Sequence, residues 1–279
     1  MRKIRTISAE VARYLRVHIV FTNTWSVNCS IPSAIPSASS SFECKKSNRY
    51  DIKQIAHYPA NLARNIARLF SASKYIVITD YEHLFSKGFE ETVRAIASVR
   101  LAEKPQTMLV YRIFEVDKRV KRLPQNKADL GKLYRSGNAV IFHAWYYPGA
   151  HEIDGLSMWF KKKRTDDGIF MKDFKYDRSN WEPQFVSHWQ IPFHDENFPF
   201  QLRDNTVLRW EMCRANYTID ILDNVFVFHR GIKQPSIYSH IRAVQKRNIA
   251  RYKSALDLFK QRMDSEYPET KERCPSVKY

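Results

Sequence analysis

The feature that most constrains the fold is a β-branched run that ends abruptly in two carboxylates. Residues 75–79, Tyr-Ile-Val-Ile-Thr, have the composition of a buried strand, and Asp80 and Glu82 follow almost directly. Carboxylates two positions apart at a strand end can point at one oxygen-preferring cation, such as Mn²⁺ or Mg²⁺. Because the same pair is common in solvated loops, its interpretation depends on the elements around it.

Helices and further strands are predicted on both sides of this run. Leu62 and Ile66 keep helical spacing after Pro59, which fits a first helical turn. A helix is predicted from about 88 to 101, and a strand over 107–115. Strand, helix and strand in succession imply right-handed crossovers. The predicted class is therefore α/β, with a mainly parallel central sheet flanked by helices.

The second half of the chain mixes short elements and loops. Helices are predicted over 127–135 and 205–213, strands over 139–142, 184–189 and 225–229, an irregular region over 148–180, and a basic amphipathic helix at about 235–263. Near the start, the predicted elements are a helix over 8–14, a strand over 15–21 and a Ser/Pro-rich loop over 30–41. Since there is no internal repeat or clear linker, a single domain spanning 1–279 is predicted.

The charge balance is strongly basic. The chain carries 46 basic and 29 acidic residues, a formal net charge of +17. Such a surface attracts polyanions, whether nucleic acids, phosphates or acidic glycans. The basic residues cluster at 118–122, 161–164 and 242–262, without zinc-finger spacing or an RNA-recognition signature. No nucleic acid partner is therefore expected, and a solvated basic face is the simplest interpretation.

Cysteines and processing signals bear on the compartment. The four cysteines form no CxxC pair, which argues against zinc, and Cys29 and Cys44 could form a local disulfide. Asn28 and Asn216 begin glycosylation acceptor patterns, which suit a secretory-pathway protein. The sequence has no stretch of 18 continuous apolar residues, and its first residues lack a signal-peptide core. Membrane attachment is expected only through a missing N-terminal anchor.

A histidine is placed where it could complete the cation site. His229 follows an apolar strand and precedes Gly231, and a neutral imidazole can complete a Mn²⁺ shell built on Asp80 and Glu82. The alternative is a strand-end histidine with an ordinary hydrogen bond. Because open α/β sheets bind ligands beyond the carboxyl ends of their strands, we predict that the three side chains converge on one cleft.

Polar residues elsewhere suggest binding and acid–base roles. Arg64 and Arg68 share a face of the early helix with Asn65 between them, and arginine forks match phosphate oxygens, although solubilising the helix is an equal alternative. Glu196 and Asp204 precede a predicted helix, where a carboxylate could take a proton from a sugar hydroxyl. Asp204 could instead cap that helix, and Glu196 could pair with an arginine.

Several short motifs occur together in a recognisable order. They are Tyr58-Pro59-x-Asn61-x-x-Arg64-Asn65-x-Ala67-Arg68, the apolar strand into Asp80-Tyr81-Glu82 with Ser86-x-Gly88, Phe114-Glu115, Phe142-His143, Gly149-x-His151, Trp181-Glu182-Pro183-x-Phe185, Asp195-Glu196-x-Phe198 and Phe228-His229-x-Gly231. This order resembles glycosyltransferase family 49 over roughly residues 15–235.

The resemblance implies a GT-A-like fold, a UDP-sugar donor, Mn²⁺ (or Mg²⁺), inversion at the anomeric carbon and a Golgi location. It implies metal binding by Asp80, Glu82 and His229, and donor binding by Arg64, Asn65 and Asp80. A glycan or glycoprotein would be the acceptor. The family's opening strand is expected to be missing from this chain.

The sequence also departs from the family pattern. Glu82 stands where the family carries Asp, which would alter the ligand geometry. Residues 199–205 replace a Gly-rich stretch, so the acceptor pocket is expected to differ. The leading hypothesis is a glycosyltransferase that transfers glucuronic acid, before N-acetylglucosamine or xylose, with Asp204 or Glu196 as base. The alternatives are a non-catalytic glycan- or partner-binding remnant of the same fold and, more weakly, a basic nucleic-acid binder.

Overall fold

The computed structural model describes residues 13–18, 20, 51–145, 147–163 and 165–277. The chain divides into two compact units, residues 1–51 and 52–279, and every element named below lies in the second. The prediction of one domain over 1–279 stays a prediction. The loop over 30–41, the Cys29–Cys44 disulfide and most of the helix over 8–14 lie outside the described residues. Residues 15–18 and 20 belong to no strand, contrary to the strand predicted over 15–21.

Seven α-helices flank the sheet in the described part of the second unit. They are α1 (Ile52–Ala56), α2 (Ala60–Leu69), α3 (Phe89–Glu103), α4 (Lys127–Arg135), α5 (Leu156–Lys161), α6 (Thr206–Arg214) and α7 (Tyr238–Glu266). The helix predicted over 127–135 has those bounds, and Asn126 caps it by accepting a hydrogen bond from Asp129 N. The basic helix α7 begins at Tyr238, after a 3₁₀ turn over Pro235–Ile237. None of the helices described is long and apolar enough to cross a membrane.

Seven strands among the described residues form one mixed sheet. They are β1 (Tyr75–Val77), β2 (His83–Phe85), β3 (Thr107–Val116), β4 (Ala139–Ile141), β5 (Ile169–Phe174), β6 (Gln184–His188) and β7 (Thr218–Arg230). The order is β1-β6-β3-β7-β2, with β4 added to β3 and β5 added to β7. The α/β class and the flanking helices are confirmed, and the sheet is compatible with a GT-A-like fold.

The mainly parallel strand direction is a wrong prediction. Of the pairings in the described sheet, β3 with β7 is parallel and the others are antiparallel. The later strand β6 lies between β1 and β3 and runs antiparallel to both. β1 and β3 therefore point in the same direction, as the crossover argument requires, but they are not neighbours.

Both faces of the sheet are covered by packed side chains, so the polar residues at the strand ends lie at the edge of the sheet. Every residue of β3 is buried. Along this strand Met108 and Val110 pack into one hydrophobic cluster, whereas Leu109 and Tyr111 pack into a second. Successive side chains of a strand point to opposite faces, so the two clusters are the two layers between sheet and helices.

Strand β7 is longer than the predicted 225–229. The first part of the strand was not predicted because polar residues interrupt its apolar pattern. Asp220 and Asp223 are both fully buried in β7. Arg100 Nε donates to Asp220 Oδ2 at 2.6 Å, and Lys127 Nζ donates to Asp223 Oδ1 at 2.5 Å. The neutralising partners come from α3 and α4, which a local sequence pattern cannot reveal.

Replacing Lys127 with Met is expected to lower the free energy of unfolding by about 3 kcal/mol, because the buried Asp223 carboxylate loses its charge partner. The measurement is urea unfolding followed by circular dichroism. Lys132→Met is the matched control, since Lys132 is exposed on the same helix, and its expected effect is below about 0.5 kcal/mol. Equal midpoints for the two variants would contradict the role assigned to the pair.

The C-terminal segment is tied to the fold by a disulfide. Cys213 at the end of α6 bonds to Cys274. Asn216, two positions beyond α6, is exposed, as a glycosylation acceptor requires. Its glycosylation stays a prediction.

Candidate functional site

A cleft of about 1220 Å³ opens beside the turn between β1 and β2. Its walls come from α2, that turn, the loop before α6, and α7. The charged and imidazole side chains that line it are Arg64, Arg68, Asp80, Glu82, His83, His143, His151, Glu182, Arg203, Asp204 and Lys233. A smaller cavity of about 630 Å³ is lined by Asp195 and Glu211, but both carboxylates are paired with Arg262. The larger cleft therefore holds the groups available for chemistry.

The predicted metal residues lie where two strands meet. β1 ends at Val77, so Asp80 and Glu82 belong to the turn that follows and not to the strand end itself. β2 pairs with β7 and sets His83 opposite His229. This pairing brings the turn alongside the end of β7, although the residues are far apart in sequence.

Glu82 and His229 are in direct contact. His229 Nε2 lies 3.0 Å from Glu82 Oε2, and His229 Nδ1 lies 2.8 Å from the carbonyl oxygen of Gly231. Because a carbonyl only accepts, Nδ1 carries a hydrogen, and Nε2 is the ring nitrogen that faces Glu82. Metal-binding histidines are oriented in this way, by donating their second ring N–H to a carbonyl or carboxylate.

The Asp80 side chain is largely exposed and lies nearest a different histidine, His83. It is 68% exposed, and its Oδ2 lies 3.9 Å from His83 Nε2. Among the described residues, no three His, Cys, Asp or Glu side chains are close enough to hold a metal ion. The structure thus brings together Glu82 and His229, with Asp80 two residues away in the same turn. Asp80 and Glu82 line the cleft, whereas His229 contacts Glu82 without lining it, so the three side chains do not all converge on the cleft as predicted.

Lys233 is a cleft residue that the motif reasoning missed. Its Nζ lies 3.3 Å from His143 Nε2, and its backbone N donates to the buried Glu115 at 3.0 Å. Burial lowers the pKa of His143 to about 2, so the neutral ring accepts from the ammonium. The sequence signal was a lysine just after Gly231, at the end of the strand that carries His229.

Asp204 and Arg64 form a second polar centre in the cleft. Arg64 Nη1 donates to Asp204 Oδ2 at 2.9 Å and to Asn61 Oδ1 at 2.7 Å. Burial raises the pKa of Asp204, and the Arg64 guanidinium opposes that rise. The other oxygen, Oδ1, accepts from Gln201 N at 3.1 Å, so Asp204 does not cap α6. Both residues line the same cleft as Asp80 and Glu82.

Asn65, Arg68 and Glu196 hold one loop in place. Asn65 exchanges two hydrogen bonds of 2.9 Å with the backbone of His194 and donates to Glu196 Oε1 at 2.8 Å. Arg68 donates to the carbonyls of Ile191 and Pro192, each at 2.6 Å. Neither Asn65 nor Glu196 lines the cleft. These bonds account for the motif around Asn65 through packing of the loop, and they pair Glu196 with an amide instead of an arginine.

Glu182 is a second missed carboxylate. It accepts from Thr206 Oγ1 at 3.0 Å and from Asn205 Nδ2, so it ties the β6 entry to the start of α6. Burial alone would raise the pKa of Glu182, but the nearby His151 and Arg209 and these hydrogen bonds lower it. The result is a fully bonded anion in the cleft wall. Its signal was the Trp181-Glu182-Pro183 motif.

Comparison with known proteins agrees with this placement. The family described as "Glycosyl-transferase for dystroglycan" matches residues 1–268. Beta-1,4-glucuronyltransferase 1 of Mus musculus is 26% identical over 219 residues, which are 78% of this chain and 50% of that protein. The Danio rerio protein of the same name is 24% identical over 231 residues, 82% of this chain and 52% of its own length.

A relative with a different name matches a smaller part of the chain. Xylosyl- and glucuronyltransferase LARGE1 of Mus musculus is 24% identical over 178 residues, 63% of this chain and 22% of that protein. The chain spans about half the length of the beta-1,4-glucuronyltransferases that it matches. Because the family match extends from residue 1 to residue 268, this chain belongs to glycosyltransferase family 49, the glycosyl-transferase family for dystroglycan.

Proposed function

We propose that this chain transfers a sugar, with glucuronic acid favoured, from a UDP-sugar to a glycan hydroxyl with inversion at the anomeric carbon. One observation carries the proposal: a single cleft is lined by Glu82, which His229 contacts at 3.0 Å, and by the Asp204–Arg64 pair. The first pair suits the leaving diphosphate and the second suits an attacking hydroxyl. The names of the relatives support a glucuronyl donor.

Glu82, His229 and Asp80 would hold a divalent cation, Mn²⁺ or Mg²⁺. The donor set fits, since a hard cation takes carboxylate oxygens together with the imidazole lone pair that Gly231 orients. Such a cation supplies electrostatic stabilisation of the departing diphosphate. Lys233 adds a positive charge next to Glu82, and would bind the same phosphate oxygens.

Asp204 would act as the general base. As the acceptor oxygen bonds to the anomeric carbon, the bond from that carbon to the diphosphate oxygen breaks and UDP leaves with the electron pair. The proton of the acceptor hydroxyl passes to Asp204. A buried carboxyl with a raised pKa is a stronger base than an exposed one. Arg64 holds it in position. Glu196 lies outside the cleft lining and has no part in this proposal.

The disulfide supports the proposed compartment. Disulfides persist in oxidising environments such as the lumen of the secretory pathway, and Cys213–Cys274 joins α6 to the C-terminal segment. A Golgi lumenal location and a glycan or glycoprotein acceptor are part of this proposal.

The test is UDP release by the purified chain. With UDP-glucuronate, Mn²⁺ and a panel of neutral and acidic oligosaccharides, we expect acceptor-dependent UDP release, faster than with UDP-xylose or UDP-N-acetylglucosamine. Binding of UDP and of the oligosaccharides is measured in parallel. If glycans bind and no donor is turned over, the chain is a non-catalytic glycan-binding form of the fold and the transfer reaction is excluded.

A further inference from the structure

We propose that Arg203, together with Tyr147 and Tyr252, forms a subsite of the cleft that binds the carboxylate of an acidic sugar. The inference rests on the proposed function, because it names the substrate class of that same cleft. It concerns the loop over residues 199–205, which borders the cleft.

The backbone of this loop is held in a conformation that L-residues rarely adopt. Gln201 has φ +68° and Arg203 has φ +58°, both in the left-handed region. Each such residue costs of the order of 1 kcal/mol. Such strain persists when surrounding contacts enforce it, and it is common at ligand sites.

Contacts from outside the loop enforce this conformation. Gln245 Nε2, on α7, donates to the carbonyl of Gln201 at 3.0 Å, and Asn248 Nδ2, on the same helix, donates to the carbonyl of Phe200 at 3.2 Å. Asp204 accepts from Gln201 N. The loop is therefore rigid where it borders the cleft, and its conformation decides where Arg203 lies.

Arg203 faces aromatic neighbours. Its guanidinium carbon is 5.5 Å from the centroid of the Tyr147 ring, and it forms a hydrogen bond with the Tyr252 side chain. Arg203, Tyr147 and Tyr252 all line the cleft. The arginine that pairs with the adjacent Asp204 is Arg64. In the described part of the chain, Arg203 has no carboxylate partner within 4.0 Å, so its charge is available to a ligand.

The chemistry of the subsite selects a sugar acid. A guanidinium presents a planar fork that matches a carboxylate through two hydrogen bonds, and the half-buried Tyr147 ring can pack against the apolar face of a sugar, whereas the buried Tyr252 positions Arg203. Asp204 alone would repel an anion, but Arg64 compensates its charge. The carboxylate can belong to the donor sugar or to a sugar of the acceptor, and the experiment separates these two sources.

The test compares Arg203→Gly with wild type. Glycine accepts a positive φ, so the variant keeps the loop conformation while removing the side chain. We expect kcat/KM for UDP-glucuronate to fall about 10- to 100-fold and that for UDP-glucose to change less than about threefold, if the carboxylate is the donor's. If it is the acceptor's, the same selective loss appears with uronate-bearing but not with neutral oligosaccharides.

The controls are Arg203→Lys, Arg203→Gln and Arg122→Gln. Glutamine is used at position 122 because a glycine there would also alter the backbone. Arg122 is exposed and does not line the cleft. Arg203→Lys is expected to recover part of the selectivity that Arg203→Gln loses, and Arg122→Gln to resemble wild type. An equal loss with charged and neutral substrates, or no loss with either, would overturn the subsite.

A second readout separates this proposal from the transfer reaction. Binding of methyl glucuronide and of methyl glucoside is titrated by NMR without any donor. We expect wild type to bind the glucuronide more tightly, and Arg203→Gly to remove the difference. This preference would stand even if no UDP were released, whereas its absence in wild type would exclude the subsite while leaving the transfer reaction to its own assay.

Discussion

Replacing His229 with Ala is expected to lower UDP release from UDP-glucuronate about 10³-fold. The imidazole Nε2 faces Glu82, and the hydrogen bond from Nδ1 to the Gly231 carbonyl fixes the orientation of the ring. Under the proposed mechanism, losing this ligand would weaken binding of the cation that would stabilise the leaving diphosphate, and a Lewis-acid contribution of several kcal/mol corresponds to a change of this size. The measurement is kcat/KM as a function of Mn²⁺ concentration, for which the variant should need at least 10-fold more metal.

The matched control is His188→Ala, because His188 lies at the end of β6 and outside the cleft lining, whereas His229 contacts the cleft residue Glu82. It should retain wild-type turnover. Asp80→Ala then tests the third ligand, whose side chain is largely exposed in this structure. A loss comparable to that of His229→Ala would assign Asp80 to the metal. Equal turnover by wild type and Asp80→Ala would remove Asp80 from the site, and the same result for His229→Ala would remove the metal site altogether.

Replacing Asp204 with Asn is expected to lower kcat about 10³-fold with little effect on UDP affinity. Asparagine keeps an oxygen for the hydrogen bond from Gln201 N but cannot take the acceptor proton. The direction in which the rate changes with pH follows from this role. A base must be deprotonated, so the wild-type rate falls as pH falls through the pKa of Asp204, and burial places that pKa above the ordinary Asp value. This acid limb should be absent from the residual activity of the variant.

Glu196→Gln is the control for this carboxylate. Glu196 accepts a hydrogen bond from Asn65 but lies outside the cleft lining, so its amide should leave kcat within about twofold. If Glu196→Gln loses activity and Asp204→Asn does not, the base has been assigned to the wrong carboxylate. A thermal unfolding midpoint for each variant separates loss of the base from loss of the fold.

Local signals predicted the individual elements well. The helix over Lys127–Arg135 and the strand beginning at Thr107 have the expected positions, because apolar spacing and an Asn cap act within a few residues. By contrast, β5 and α5 lie in the region predicted to be irregular. β5 alternates too weakly, with an exposed Lys172 and Asp173 in its middle, and it is a strand because it pairs with β7.

The site was predicted in part for the same reason. A carboxylate or histidine at the end of an apolar run marks a sheet edge, and this rule located Glu82 and His229 correctly relative to each other. It could not separate Arg64, which reaches Asp204 in the cleft, from Arg68, which binds backbone carbonyls. The two arginines share a helix face, and only the loops packed against that face give them different partners.

The sequence by itself determined the α/β class, the family and the placement of carboxylate and histidine side chains near strand ends, because these depend on residue type and on spacing along the chain. The tertiary structure decided which strands are neighbours, since insertion of β6 between β1 and β3 depends on burying both sheet faces at once. It also decided the state of each polar group. Whether Asp204 is a cap or a cleft carboxylate, and whether Arg203 faces Tyr147 or solvent, depends on contacts between residues that only the folded chain brings together.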